Sequence, residues 1–351
     1  MAICSQCGVS LPENCGTYCP LCGAELSQEA SVGANSYGDT DYFPEVREEI
    51  AALLSELDKM RPALTKHKYN PAKRYWDELE SLTGMTRVKE QLRDFIIDFN
   101  VQKVRQFNHP DLLISCPFNC IFKGRPGTGK TTVARIVAGI LKEEGIISNG
   151  CCVEMDASSI TSGWIGFSAK FARLAALESL GGVLFIDEAY SLLNTEGSKG
   201  NPGKEVIDTL TPMMENYRDK LIVIFAGYDK EMNELLERTN PGFASRFKNE
   251  IHFDDYSAKD MLQIFNDIAT KNHYTLSSQA QGRLAALFDV IYSRKDINPR
   301  FANARTVRTL FETIRSKASA RMARDRSANY DVIVQEDIAL SAEELKQIGA
   351  I

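Results

Sequence analysis

Three groups of residues in this 351-residue chain have the types and spacing that chemistry requires. The first is Gly124-Arg125-Pro126-Gly127-Thr128-Gly129-Lys130-Thr131, which fits the pattern G-x-x-x-x-G-K-[ST] without a mismatch. Glycine lets the backbone curl so that successive amide hydrogens point inward, and a helix beginning at the end of the curl adds partial positive charge. That hollow suits the phosphates of ATP. Lys130 would reach the β- and γ-phosphates, the Thr131 hydroxyl would ligate Mg²⁺, and Thr132 is counted with the nucleotide-binding residues. The second group ends the apolar run Gly182-Val-Leu-Phe-Ile-Asp187-Glu188. Asp187 would hold Mg²⁺ through water, and Glu188 would polarise the attacking water. The third is the pair Cys4-Ser-Gln-Cys7-Gly8 and Cys19-Pro-Leu-Cys22-Gly23. Two such turns facing each other direct four thiolates at one point, a tetrahedral site suited to Zn²⁺.

The elements around these groups follow from hydrophobic pattern. Phe118 to Lys123 is short and apolar enough for a buried strand, and Thr132 to Leu141 has helical spacing, so the glycine-rich turn falls between strand and helix. Further strands are expected at Cys151 to Met155, Val183 to Ile186, Leu221 to Phe225 and Glu250 to Phe253. Strands alternating with helices predict an α/β fold, a parallel sheet with helices on both faces and ligands beyond the carboxyl ends of the strands. After Tyr256 the pattern turns helical near 257 to 272, 277 to 294 and 301 to 324, which predicts a C-terminal helical lid. Upstream, Pro44 opens a helix with the apolar stripe Val46, Ile50, Leu53, Leu54 and Leu57, suited either to a partner or to packing on its own domain. Another helix is expected across Ala72 to Leu82. The expected organisation is a zinc ribbon over 1–27, a tether and N-terminal helices over 28–81, an α/β nucleotide domain over 82–255 and a lid over 256–351.

Composition narrows the function classes. Hydrophobic residues make up 44% and charged residues 25% of the chain, the proportions of an ordinary globular protein. No apolar run approaches the roughly 18 to 20 residues that span a bilayer, and no basic stretch precedes a hydrophobic one at the N-terminus. A cytoplasmic location is expected. A net charge of -6 argues against a large nucleic-acid footprint. Of nine cysteines, five fall within the first 22 residues, which points to a reducing compartment and one metal site rather than a disulfide framework. The ribbon carries Glu13 and Glu25 but no lysine or arginine, and a four-thiolate zinc site is formally dianionic. A protein partner therefore fits it better than DNA or RNA, with a structural cap as the alternative.

From about Leu82 to Arg321 the chain resembles an AAA+ ATPase of the family that includes red-type Rubisco activase, sporulation stage V protein K and the cytosolic ATPase of type VII secretion. The matching residues are Gly84-Met85, the phosphate loop, Phe-Ile-Asp187-Glu188-Ala-Tyr190, Ala226-Gly227-Tyr228, Asn240-Pro-Gly-Phe-Ala-Ser-Arg246 and Asn303-Ala-Arg305-Thr-Val-Arg308. The resemblance implies that Gly84 and Met85 belong to the nucleotide site and that Arg246 is an arginine finger reaching the γ-phosphate held by a neighbouring subunit. It implies a sensor-2 role for Arg305, with Arg308 one turn on as the second candidate. A surface salt bridge is the alternative reading of each arginine. Tyr228 stands at sensor 1, where the wider superfamily usually has Asn or Thr.

Ser162-Gly163-Trp164-Ile165-Gly166 places an aromatic and an aliphatic residue between glycines in a loop expected to be exposed, poor surface design unless they grip something. Trp164, Ile165 and Gly166 resemble the aromatic-hydrophobic-glycine element that lines the pore of AAA+ unfoldases; a core tryptophan is the alternative. The resemblance thus implies an ATP-hydrolysing homo-oligomeric ring, a hexamer, that threads or remodels a protein client. The contrasting reading is a nucleotide-switched scaffold that recruits partners through the ribbon without threading.

Overall fold

Runs such as Leu221-Ile-Val-Ile-Phe-Ala are apolar on both alternating faces, so they are stable only inside a sheet covered on two sides. The computed structural model, which describes residues 2–3, 10–11, 46–57, 64–109, 118–161, 166–195, 201–325 and 329–350, places them so. Cys4, Cys7, Cys19 and Cys22, the tether, and Trp164 with Ile165 lie outside the described residues. Among the described residues, no group of three or more His, Cys, Asp or Glu could hold a metal ion. No helix among them is long and apolar enough to cross a membrane.

In chain order, Ala2–Ile3 (β1) pairs antiparallel with Ser10–Leu11 (β2). Then come Arg47–Leu57 (α1), Thr65–His67 (β3), Tyr75–Ser81 (α2), Thr86–Asn108 (α3), Cys120–Gly124 (β4), Lys130–Glu143 (α4), Cys152–Asp156 (β5), Ala157–Thr161 (α5), Phe167–Glu178 (α6) and Gly182–Asp187 (β6). A 3-10 segment, Ala189–Thr195, leads to Pro202–Asn216 (α7), Leu221–Gly227 (β7), Asp229–Arg238 (α8), Pro241–Ala244 (α9) and Asn249–Phe253 (β8). Six strands form one sheet in the order β3-β5-β6-β7-β4-β8. Neighbours β5, β6, β7 and β4 are parallel, and β3 is added antiparallel to the β5 edge.

The residues fall into two units. One takes the described residues up to Ser81, Arg87–Lys123 and Lys130–His252; the other takes Leu82–Thr86, Gly124–Gly129 and the chain from Phe253 on. In the α/β unit, alternation along the strands divides the core. Ile121, Val153, Leu184, Ile186, Val223 and Phe225 pack with the buried faces of α1, α6 and α7. Helix α4 lies against β5 and β6 and carries α2 on its back, where Gly139 leaves room for the Tyr75 ring. Helix α1 is held on its own domain by Val46, Leu53 and Leu57 within that core. The exposed ion pairs Glu49–Arg173 and Glu56–Lys170 tie it to α6 but contribute at most about 1 kcal/mol each.

The second unit is helical. Its elements are Ala258–Lys271 (α10), Thr275–Leu276 (β9), Ser278–Ser293 (α11), Asn303–Arg324 (α12), Val332–Ile333 (β10) and Ala342–Gln347 (α13). Ser257 caps α10 in a reciprocal box with Asp260, and β9 pairs parallel with β10. Phe265 meets Phe288 and Phe311 edge to face, with ring centroids 6.2 and 5.5 Å apart. Arg321 holds buried Asp337 through two 3.0 Å hydrogen bonds, and that carboxylate raises the arginine's pKa.

The helix and strand spans match the expected ones within a few residues. Two features differ from the expected organisation. Residues 46–81 group with the α/β unit, because the α1 stripe has a core to enter. Leu82–Thr86 and Gly124–Gly129 group with the helical unit, where Gly84 lies against Asp260 and Tyr256 and the Gly127 carbonyl accepts from Ala304.

Candidate nucleotide site

Strand β4 delivers the chain to the glycine-rich turn, and its last buried residue before the turn is Lys123. At 3% exposure its ammonium needs partners; Glu250 Oε2 and Asn233 Oδ1 each lie 2.7 Å away. Lys130 and Thr131 open α4, Lys130 itself being buried. Strand β6 brings Asp187 to the same end of the sheet, and the Thr131 hydroxyl donates to Asp187 Oδ2 at 3.2 Å. The other carboxylate oxygen accepts the Glu188 N–H at 2.9 Å. Glu188 takes a left-handed backbone conformation, φ 49°, rare for a non-glycine residue. That bend is locked by Ser191, whose N–H and hydroxyl donate to the Glu188 carbonyl at 2.9 and 2.8 Å. The Glu188 side chain is left exposed beyond the strand end.

Mg²⁺ is a hard cation that takes oxygen ligands, and a hydroxyl and a carboxylate 3.2 Å apart are a donor pair of that kind. The residues present therefore fit the metal that the sequence calls for.

Within the helical unit, the turn Gly124–Gly129 is fastened to the start of α12. The Gly127 carbonyl accepts the Ala304 N–H at 3.1 Å, and a Cβ at Gly127 (φ +72°) would lie 2.1 Å from the Ala302 carbonyl oxygen. Asn303 is fully buried at φ 48° and spends its whole amide on this junction. Its Nδ2 donates to Asp255 Oδ1 at 2.9 Å and to the Pro126 carbonyl at 3.3 Å, while its Oδ1 accepts the Tyr256 N–H at 2.9 Å. Arg125 donates to Asp296 at 2.9 Å and to the Lys295 carbonyl at 3.1 Å, and lies 3.3 Å from Asp255. Thr128 closes the turn by donating to the Arg125 carbonyl at 2.8 Å. The buried Tyr256 hydroxyl donates to the Thr128 carbonyl at 3.4 Å; burial, with Asp260 nearby, pushes its pKa up. Gly84 and Met85 are both left-handed, φ 65° and 57°, and the Met85 methyl sits against Gly129. Arg305 and Arg308 lie exposed on the first turns of α12.

Arg246 follows the short helix α9, whose N-cap Asn240 accepts the Phe243 N–H at 2.6 Å. Its guanidinium donates to Glu215 Oε2 at 3.2 Å and to the Gly242 carbonyl, and its Nε is buried with no acceptor. Gly166, at φ 82° with open space around it, precedes α6 and donates its N–H to Glu205 Oε2 at 3.2 Å. Tyr228 leaves β7 at the start of α8.

Asp187 and Glu188 are thus joined to Thr131, whereas Arg246 sits apart from them, bonded to Glu215. Two supporting residues were given no role by the sequence: Lys123, one lysine ending an apolar run, and Asn303, which enters only as the first residue of the Asn-Ala-Arg resemblance.

A glycine-rich turn after an interior strand of a largely parallel sheet, with acids ending the next strand but one, is the pattern of the phosphate-loop nucleoside triphosphatase fold, and the separate helical unit narrows the class. The chain belongs to the AAA ATPase family: residues 120–255 match the ATPase family associated with various cellular activities, and residues 257–348 match the AAA lid domain. It is 34% identical to stage V sporulation protein K of Bacillus subtilis over 280 residues, 79% of this chain and 85% of that one. Protein CfxQ of Xanthobacter flavus is 35% identical over 244 residues, 69% of this chain and 74% of its own. The ESX-1 secretion system protein EccA1 of Mycobacterium leprae is 39% identical over 254 residues, but the match spans only 44% of that protein. The crystal structure of the FIGL-1 AAA domain shares the fold at a TM-score of 0.55 and 19% identity, over 90% of this chain and 97% of that one.

The Gly127 approach is testable. Gly127→Ala should weaken binding of a non-hydrolysable ATP analogue roughly ten-fold or more, since overpacking of this sort costs about 1–3 kcal/mol. Titration of purified protein followed by fluorescence checks this; unchanged affinity would show that the close contact with Ala302 is dispensable.

Proposed function

We propose that the protein hydrolyses ATP and uses the energy to remodel or thread a protein client, working as a homo-oligomeric ring, a hexamer. The observation that carries the ATPase reading is the 3.2 Å bond from Thr131 to Asp187, with Glu188 bent out beside it. Mg²⁺, held by Thr131 and Asp187, would neutralise charge on the β- and γ-phosphates. Lys130 binds the same phosphates from the start of α4, the amides of Gly124 to Gly129 orient them, and Glu188 takes the proton of the attacking water. Gly84 and Met85 line the nucleotide site, and Arg305 senses the γ-phosphate from the lid.

Arg246 acts on the neighbouring subunit's nucleotide as an arginine finger. Its Nε, buried with no acceptor, supports this reading, because the guanidinium paired with Glu215 still has a donor to give elsewhere. Trp164 and Ile165, with Gly166 as the swivel, grip the client. The ribbon's Cys4, Cys7, Cys19 and Cys22 hold Zn²⁺, which supplies the folding free energy of so short a segment, and the ribbon selects a protein partner. The family membership and the relative named for sporulation support the class.

Glu188→Gln should bind ATP with wild-type affinity yet turn over at least about a hundred-fold more slowly, read by phosphate release; near-normal turnover removes Glu188 from its role. Arg246→Ala mixed with wild type should depress total activity below the proportional sum, whereas strict proportionality argues against a shared site. Trp164→Ala should leave ATP binding intact and abolish client remodelling. A scaffold that recruits without threading would keep client binding and its downstream effect in that variant.

A further inference from the structure

Positive φ is open to glycine at no cost, and asparagine, aspartate and histidine tolerate it better than other residues do. Among the described residues, the non-glycine positions that take it are Met85, Glu188, Asn201, His273 and Asn303. Three of these are of the tolerant types. Glu188 is not, so its angle of 49° is imposed by what surrounds it.

Side chains hold both backbone groups of Glu188. Its N–H donates to Asp187 Oδ1 at 2.9 Å, and the other oxygen of that carboxylate accepts from Thr131 at 3.2 Å. Its carbonyl accepts twice from Ser191. The Ser191 N–H, at 2.9 Å, makes the ordinary bond of a 3-10 turn; the Ser191 hydroxyl, at 2.8 Å, adds a second bond that the turn itself does not require. With N–H and C=O both fixed, φ and ψ are fixed, and the direction of the Cα–Cβ bond follows. Ser191 in turn rides on an anchored segment. Ala189 and Leu192 are buried in the core of the α/β unit, and the Tyr190 ring stacks on Tyr228 with centroids 5.2 Å apart and planes 21° apart.

We propose that Ser191 is a positioning residue for ATP hydrolysis: its hydroxyl, bonded to the Glu188 carbonyl, holds Glu188 in the left-handed conformation that carries the carboxylate out past the end of β6. This deepens the ATPase reading above and rests on the role given there to Glu188. Without the hydroxyl the carbonyl keeps one donor, the turn relaxes toward negative φ, and the carboxylate spends less time where it can take a proton from water. ATP binding, which uses Lys130 and the glycine-rich turn, is left intact.

The test is phosphate release by the full chain, comparing wild type, Ser191→Ala, Ser191→Cys, Ser191→Thr, Glu188→Gln and the double variant Ser191→Ala with Glu188→Gln, the slow variants under single turnover. Alanine removes the hydroxyl, cysteine keeps the volume with only a weak donor, and threonine keeps the hydroxyl. Ser191→Ala and Ser191→Cys should each lose at least about three-fold in kcat, the size expected for one hydrogen bond, with KM for ATP unchanged. Ser191→Thr should stay within that factor of wild type. In the Glu188→Gln background the alanine substitution should cost nothing further, because the group it positions is already gone, whereas a merely structural role would slow both backgrounds alike. The inference is overturned by a smaller loss in both Ser191→Ala and Ser191→Cys, by a Ser191→Thr form as slow as Ser191→Ala, or by an equal loss in the Glu188→Gln background. Failure of the ATPase reading looks different: wild type would release phosphate no faster than Glu188→Gln, and both proposals would fall together.

Discussion

The carboxylate of Asp187 is divided between two duties, and the α/β unit depends on that division. One oxygen accepts from Thr131, 56 residues earlier in the chain, and the other from the very next backbone N–H. The first bond fixes the start of α4 against the end of β6; the second bends the chain so that Glu188 projects. Neither would persist in a sheet free to slip, since a shift of one residue turns every side chain to the opposite face. Burial of β6 and β7 on both faces prevents it, because Val183 to Ile186 and Leu221 to Ala226 are all almost fully buried.

The helical unit solves a different problem with the same economy. Its first long helix after residue 300 starts with a fully buried amide at a backbone angle that most residues avoid. Asn303 tolerates that angle, and three polar partners satisfy it; leaving one unpaired would cost about 1–3 kcal/mol. The result is that the geometry of Pro126 and Gly127 is set by residues more than 120 positions away in sequence, rather than by the glycines alone.

Much of this was legible from residue order. The phosphate turn announces itself because its chemistry demands glycine, lysine and a hydroxyl at fixed spacing, and the five central strands because two-sided burial leaves continuous apolar runs. The three long helices after Tyr256 follow from their period. What escaped is what has no periodicity. Thr65–His67 is a polar edge strand, recognisable only when β5 offers it an open side. The Lys123 partners come from β8 and α8, which no local pattern connects. The bond between Arg246 and Glu215 is likewise a product of packing, since α7 and the turn after α9 meet only in the folded unit.

The seating of α1 on α6 has a bearing on how two ends of the chemistry are spaced. Glu56 meets Lys170 and Glu49 meets Arg173, so the two helices run in opposite senses. Residue 46 therefore lies near the far end of α6, while Gly166 stands at the near end. At 1.5 Å per residue that separation is roughly 14 Å. The first 45 residues are thus joined to the α/β unit about 14 Å along α6 from Gly166, a spacing fixed by the burial of Val46, Leu53 and Leu57.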